Sequence, residues 1–575
     1  MRKDSSPCRN TILGIDLSRY YTPEEMESHL KRLAEVHPTL MSLYSIGKSI
    51  RGRDIWVVEL TNKRTGPAEE KPGELVFAAI HAAEVMSAAA SLYCICEALD
   101  GYGKDEAITE LLDEIVLYVI PYLNPDGAHI ALTTPYRWVG NGRFLPGEEQ
   151  PWPGLYQCDV NGDGMILEMR IEDPAGEWKA SEHDPRLLVP RKPGDRDGPF
   201  YRRLPEGLIR DWDGAELWLP KPRDGNLNRN FPENWGPEFM QYGAGEHPLS
   251  EPEVAAFVRF VLDRPNIVGS LSLHTNAGAI LFPEVEASRK RDVLALRRLA
   301  QAGRDLTGYA IIESVLEQFT IDKSKPRRGV SDEWLYKQQG KICFTIELWD
   351  WLGTAGVKRD SFMATLSGPS PEEELALLKW NDEVLGGEGF VPWTPFEHPQ
   401  LGRVEIGGWK YMWPTRNAPP GKLLVEEVYR LSKFIFAKAS SAPKLRLLEV
   451  SASPVGEDLY RVEAIVANEG FLPTYVTEVA REHGLADTVH VSIEVDGPGE
   501  VLDGTERNLG HLAGWAERAA PWVPWNYLEW EPTRKKATWL VRASEGTKLR
   551  VVARSRQAGK VTSAILLAKN NTYDS

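Results

Sequence analysis

A chain of 575 residues with 42% hydrophobic and 26% charged residues has an ordinary globular composition and is too long for one core, so two domains are expected and three allowed. A formal net charge of -16 disfavours nucleic acid as a general partner, because phosphate contacts need clustered Lys and Arg. No run of 18 apolar residues offers a membrane span, and no signal-like apolar stretch follows the first basic residues, which gives a cytoplasmic expectation without membrane partners.

In chain order, Thr22 is placed to cap a first helix, with Pro23 at its start, Glu25 completing a capping box, and Leu30, Leu33 and Val36 on one apolar face. Residues 41–47 and 54–61 read as strands joined by a basic turn. Strand candidates follow at 75–80, 115–123, 267–273 and 341–348. Helical patterns cover 84–99, 251–264, 291–308, 372–385 and 426–439. Apolar strands separated by helices predict an α/β domain whose mixed sheet is covered on both faces. Residues 142–223, rich in Pro, Gly, Asp and Trp with weak periodicity, read as an insertion without a core of its own. A linker is expected at 439–443, and short alternating runs over 444–575 predict an all-β sandwich domain. Cys8, Cys94, Cys96, Cys158 and Cys343 suit neither a disulfide framework nor a four-cysteine zinc site, and Cys343 reads as a buried free thiol.

Four strand candidates end in chemically capable groups: His81 and Glu84, Asn124 and Asp126, His274, and Glu347. Open sheets of this kind bind ligands beyond the carboxyl ends of their strands, and two His with one carboxylate suit zinc. From these residues alone, a metal site and a chance clustering of strand ends stay equally open.

The ordered pieces SIRGR, HAAE, NPDG, LNRNF, LHTN, DEW and FTIE resemble the zinc carboxypeptidases of the carboxypeptidase A and B type, from near Tyr20 to about residue 438. The resemblance implies a zinc carboxypeptidase-like catalytic domain at 18–438, with a mixed eight-stranded sheet flanked by helices. It implies one catalytic Zn2+ held by His81, Glu84 and His274, with Glu347 as general base acting on peptide or protein C-termini. It also implies that Asn228 and Arg229 grip the terminal carboxylate and that Arg53 contacts residues further along the substrate.

Three departures stand out. Asn226 occupies a place where the family has an aspartate that orients a metal histidine; it could still accept a hydrogen bond. Val139 occupies the place of the family's oxyanion arginine, leaving Arg137 or Arg143 to take that role, with Arg143 preferred for the glycines around Asn141. No tyrosine stands near Lys325, where the family has a closing tyrosine, and Lys323, Lys325 or Arg327 are candidates to help there. Asp332 falls at the base of the side-chain pocket, implying a basic preference, or serves as a structural partner if the alignment slips by one.

In the insertion, Asp159, Asn161 and Asp163 alternate before Gly164, like the first half of a calcium loop, with Arg170 at the twelfth place and Glu168 or Glu172 as substitutes. Ca2+ there would stiffen the insertion; a simple Asp/Asn-rich turn is the alternative. The last domain offers no ligand cluster: His483, His490 and His511 lack metal-like spacing. Its Trp515, Trp522, Trp525 and Trp530 suit packing against the catalytic domain or a second subunit, so a homo-oligomer through this domain is one expectation. Alternatives to a carboxypeptidase are a related zinc amidohydrolase on cell-wall or modified peptides, and a non-catalytic peptide-binding protein, which the intact His81, Glu84, His274 and Glu347 set disfavours.

Overall fold

The computed structural model describes residues 8–136, 138–144, 153–211, 214, 219, 225–358, 368–410, 418–517 and 531–568. The first long helix, Pro23–Val36, starts as its sequence requires: Thr22 Oγ1 accepts from Glu25 N, and the Glu25 carboxylate accepts from Thr22 N.

Eight strands form the central sheet: β1 (Met41–Lys48), β2 (Asp54–Leu60), β3 (Gly73–Ala78), β4 (Val116–Ile120), β5 (Ile267–Thr275), β6 (Ala279–Leu281), β7 (Ala310–Ile312) and β8 (Ile342–Leu348). Their order is β7-β6-β8-β5-β3-β4-β2-β1. The centre is parallel, β8 with β5, β5 with β3 and β3 with β4, while β1, β2 and the β6–β8 pair run antiparallel. The sheet is therefore mixed, flanked by helices on both faces.

Period-2 alternation distributes its side chains between two cores. Val76, Ala78, Leu271, Leu273, Phe344 and Ile346 pack with the helices Val85–Gly101, Lys290–Thr307 and Gly421–Ala439. Leu75, Phe77, Tyr118 and Cys343 face the other way, onto Phe257, Phe260 and Trp334. All five cysteines are free.

The insertion departs from the coreless reading. Strands Glu168–Glu172, Trp178–Ala180, Leu188–Pro190 and Phe200–Pro205 join Phe390–His398 and Gly402–Trp409 in a six-stranded antiparallel sheet. Leu155, Leu167, Met169, Ile209, Val404 and Ile406 form its core. Neither 390–398 nor 402–409 reads as a strand by pattern. Pro392 and Pro395 interrupt the first, Gly407 and Gly408 the second; the two pair as a hairpin, and the second also pairs with Glu168–Glu172 more than two hundred residues away, as in the Arg170–Glu405 ion pair.

Over residues 445–566 two four-stranded antiparallel sheets enclose a core that includes Val462, Val466, Trp539, Val491, Ile493 and Val551. Of the four tryptophans singled out there, Trp515 is 55% exposed, with one edge on Phe471, and Trp522, Trp525 and Trp530 lie outside the described residues. No helix among the described residues is long and apolar enough to cross a membrane.

Candidate metal centre and substrate cavity

Three adjacent parallel strands carry the site. In register, His274 on β5 stands opposite Glu347 on β8, and Leu273 stands opposite Ala78 at the end of β3. Just beyond β3 the chain turns at Ala79, whose φ is +49°. Ser87 Oγ accepts from Ala79 N and donates to Glu84 O, which folds residues 79–84 over the start of the helix Val85–Gly101. His81 and Glu84 are thereby brought beside His274.

His81, Glu84 and His274 offer ligand atoms that all lie within 4.8 Å of one another, and they are the one such cluster of His, Cys, Asp or Glu among the described residues. Nδ1 of His274 lies 3.3 Å from Nδ1 of His81, and Nδ1 of His81 lies 2.9 Å from Glu84 Oε1. Nδ1 of His274 also lies 2.9 Å from Glu84 Oε2, yet that oxygen has no hydrogen-bond partner. Two imidazoles and a carboxylate converging so closely, with the buried Glu84 Oε2 left without a hydrogen bond among the described residues, fit a common cation. A set of two imidazoles and one carboxylate fits zinc with a position left open. His274 Nε2 sits 2.9 Å from Ser272 Oγ, which fixes the ring with Nδ1 toward the centre. Burial pushes the Glu84 carboxyl up, but His81 and His274 outweigh it and hold it down at about 2.

The Glu347 side chain lies half-buried beside this cluster, and its buried Oε2 has no hydrogen-bond partner among the described residues. Burial and the Glu84 carboxylate push its carboxyl up to about 7, against the pull of His274 and Arg327.

His81, His274 and Glu347 open into a cavity of about 370 Å³ that Asn228, Arg229, Phe319, Arg327, Asp332 and Glu333 also line. Arg229 follows a 3-10 turn, Leu227–Arg229, whose Asn228 Oδ1 accepts from Ser331 N at 2.9 Å. Its Nη1 donates to Asn228 O at 2.6 Å, and it makes no ion pair among the described residues. Burial, with the like charge of Arg327, lowers the Arg229 guanidinium to about 10. Arg327 also lacks an acidic partner at ion-pair distance; burial lowers it too, while Glu347 and Asp332 pull it back up. Two partly desolvated guanidiniums without an ion pair among the described residues, on one cavity, make an anion site. Asp332 accepts from Glu333 N at 3.0 Å and Thr345 Oγ1 at 3.2 Å, and burial raises its pKa. No cation pairs with it among the described residues, so the cavity holds an anion-seeking end and a cation-seeking wall. The sequence reading named Arg327 only as one of three helpers. Phe319 carried no signal and Glu333, though within the DEW motif, was given no role, since each reaches the cavity through a loop or helix end.

Several expected site residues lie elsewhere. Arg53 donates from Nη1 to Asp126 Oδ1 at 2.7 Å and from Nε to Glu24 Oε1 at 2.8 Å, outside the cavity lining, so it serves as a structural tie between elements. Arg143 turns its Nη2 onto Glu251, at 3.0 and 2.9 Å, and is likewise absent from the lining. Arg137 lies outside the described residues. The Lys325 side chain is 80% exposed, 3.6 Å from Asp322, and turns away from the cavity that Arg327 enters. Asn226 caps the 3-10 turn by accepting from Asn228 N at 3.0 Å, instead of bonding a metal histidine; His81 Nε2 has no partner.

The calcium reading is also corrected. Asp159 accepts from the backbone N–H groups of Gly162, Asp163 and Gly164, Asn161 from Asp163 N, and Asp163 from Met165 N, which is a self-satisfied turn. Glu168, which would close the shell, is held by Arg203 at 2.7 and 2.8 Å.

A family model described as zinc carboxypeptidase matches residues 26–165 and 197–355, and a model for a domain of unknown function matches 444–565. Carboxypeptidase D of Drosophila melanogaster is 36% identical over 261 residues, 45% of this chain and 12% of its own length. Carboxypeptidase M of Mus musculus is 35% identical over 135 residues, 23% of this chain and 29% of its own length. The matched stretches thus span less than a third of either relative. Among solved structures, thrombin activatable fibrinolysis inhibitor is similar at a TM-score of 0.40 and 20% identity, over 63% of this chain and 73% of that one.

Proposed function

The chain belongs to the zinc carboxypeptidase family, and from that premise we propose that it is a metallocarboxypeptidase. It removes the last residue of peptides that end in a free carboxylate, with a zinc ion held by His81, Glu84 and His274. The observation that carries this reading is the cluster of those three ligand groups beside one cavity, which His81 and His274 line together with Glu347 and Arg229.

Bound zinc would supply Lewis acidity, acidifying water and polarising the scissile carbonyl. The chain's own groups do the rest. Arg229 meets the substrate's terminal carboxylate with its planar fork, and Arg327 adds a second positive charge at the same end of the cavity. Glu347 takes a proton from the attacking water at its unpartnered Oε2 and returns it to the leaving amine. The hydroxyl part of the water ends on the acyl carbon and the proton on the amine, so the carboxylate is regenerated. Asp332, buried without a cation, favours substrates whose last side chain is Lys or Arg.

The test is zinc per chain together with hydrolysis of peptide pairs that differ only in a free or amidated C-terminus. One zinc and cleavage of the free form alone is the expected outcome. Equal cleavage of both forms points to an amidohydrolase on modified peptides, and no zinc with no hydrolysis leaves a binding protein.

A further inference from the structure

Between its strands Leu459–Asn468 and His490–Asp496, the C-terminal domain sends out a long loop that carries the short helix Glu478–Glu482. This loop is built into the catalytic domain. Phe471, Leu472 and Val476 belong to the core on one face of the central sheet, and Val479 belongs to the core on the other, with Trp334, Leu335 and Tyr336.

The polar contacts converge on one short segment. Thr477 Oγ1 donates to Gly340 O at 2.8 Å, and Tyr336 Oη donates to Asp292 Oδ2 at 2.8 Å. The other Asp292 oxygen accepts from Glu478 N at 2.8 Å. Gly340 has φ +62°, and a Cβ there would lie 2.5 Å from Ala480 Cβ and 2.6 Å from Ala480 Cα. The two backbones therefore meet at a distance only glycine allows. The same segment turns its other side to the substrate cavity, through Val330, Asp332, Glu333 and Lys337. None of His81, Glu84 and His274 lies on it.

We propose that this loop of the C-terminal domain sets the position of the side-chain pocket wall, so that the domain governs which C-terminal residue the enzyme accepts. The proposal rests on the carboxypeptidase reading. Thr477 and Tyr336 act as positioning residues: neither reaches substrate, and both fix the backbone that presents Asp332.

Thr477→Val in the full chain keeps the shape and removes the hydroxyl; Thr477→Ser restores it. The readouts are zinc per chain, kcat and KM for peptides ending in Arg and in Leu, and hydrogen exchange over 331–341. T477V removes two hydrogen bonds, the one given to Gly340 O and the helix cap accepted from Ala480 N, and losing the first corresponds to about a fivefold rise in KM for the Arg-ended peptide. T477V should show that rise with normal zinc and a lower Arg-over-Leu preference, and T477S should recover it. Tyr336→Phe should move the preference in the same direction. A general loss of folded protein would lower both substrates alike, so the preference is the discriminating quantity, and a preference unchanged within twofold in both variants overturns the proposal. Should the parent cleave neither peptide, the carboxypeptidase reading fails and exchange alone decides. Faster exchange over 331–341 in T477V, with Ile267–Thr275 unchanged, supports the coupling, and unchanged exchange over 331–341 overturns it.

Discussion

Replacing Arg229 with Lys keeps one positive charge in the cavity and removes the fork. In the parent, Nη1 is occupied by Asn228 O at 2.6 Å, so the other N–H groups of the guanidinium are the ones free to meet a carboxylate. A lysine amine in the same place can match one carboxylate oxygen at a time. The loss is one charge-assisted hydrogen bond, worth about 1.5–3 kcal/mol. At about 1.4 kcal/mol per factor of ten, this lowers kcat/KM on free-carboxylate peptides by roughly 10- to 150-fold. An amidated peptide has no carboxylate to lose, so its slow background hydrolysis stays within about twofold and the free-over-amide ratio falls by the same factor. Burial, the main cause that lowers Arg229 to about 10, also pushes a lysine amine below its ordinary value, so the defect of R229K deepens as pH rises. The assay is kcat/KM on a matched free and amidated pair at two pH values, with zinc content measured alongside. A zinc-loaded R229K protein that discriminates between the pair as well as the parent would refute the anchor.

Changing His81 or His274 to Ala removes one of three converging ligands and should strip most of the zinc; full occupancy and full activity in H81A would sink the metal assignment. Glu347→Gln keeps the shape but cannot take the water's proton, so kcat should drop by about a hundredfold or more with zinc retained, and near-normal turnover at saturation would rule the role out. Asp292 yields a pH prediction. Burial, helped by Glu478, raises its carboxyl to about 6, so between about pH 4 and 6 the folded chain holds a proton that the unfolded chain lacks. Its contribution to stability therefore falls as pH rises through that window, by at most about 2–3 kcal/mol, and is flat above it. Tm measured at pH 4.5 and 7 should show the parent gaining on D292N at the lower pH, and a pH-independent difference would contradict this.

What the sequence made legible, and what it did not, follows from where the partners lie. His81, Glu84, His274 and Glu347 could be picked out because each closes an apolar strand, and parallel pairing then brings strand ends together; the His274–Glu347 register is that rule at work. Arg229 was legible through the polar run around it, and its lack of an acidic partner is what the fold adds. Arg53, Arg143 and Lys325 lie outside the cavity lining, and basic residues near motifs look alike until their partners are known. Arg53 belongs to Glu24 and Asp126, and Arg143 to Glu251, more than a hundred positions away. The six-stranded sheet of the insertion was hidden because its strands are short, two of them interrupted by Pro or Gly, and its halves are joined by one pairing across more than two hundred residues. The loop 469–489 carries no periodic signal, since its apolar residues point into two different cores.

The contact between Gly340 and Ala480 also has a meaning in time. A ribosome finishes the last zinc ligand and Glu347 well before it reaches the residues that back the pocket wall. Domains commonly fold as units in the order they are synthesised, but here part of the cover over the first unit comes from a loop made later, around Ala480. Until then Trp334, Leu335 and Tyr336 lack their cover from Val479, and Gly340 has nothing to lie against. A nascent chain would therefore hold its metal-ligand residues before the loop 469–489 that, on the proposal above, sets the pocket wall.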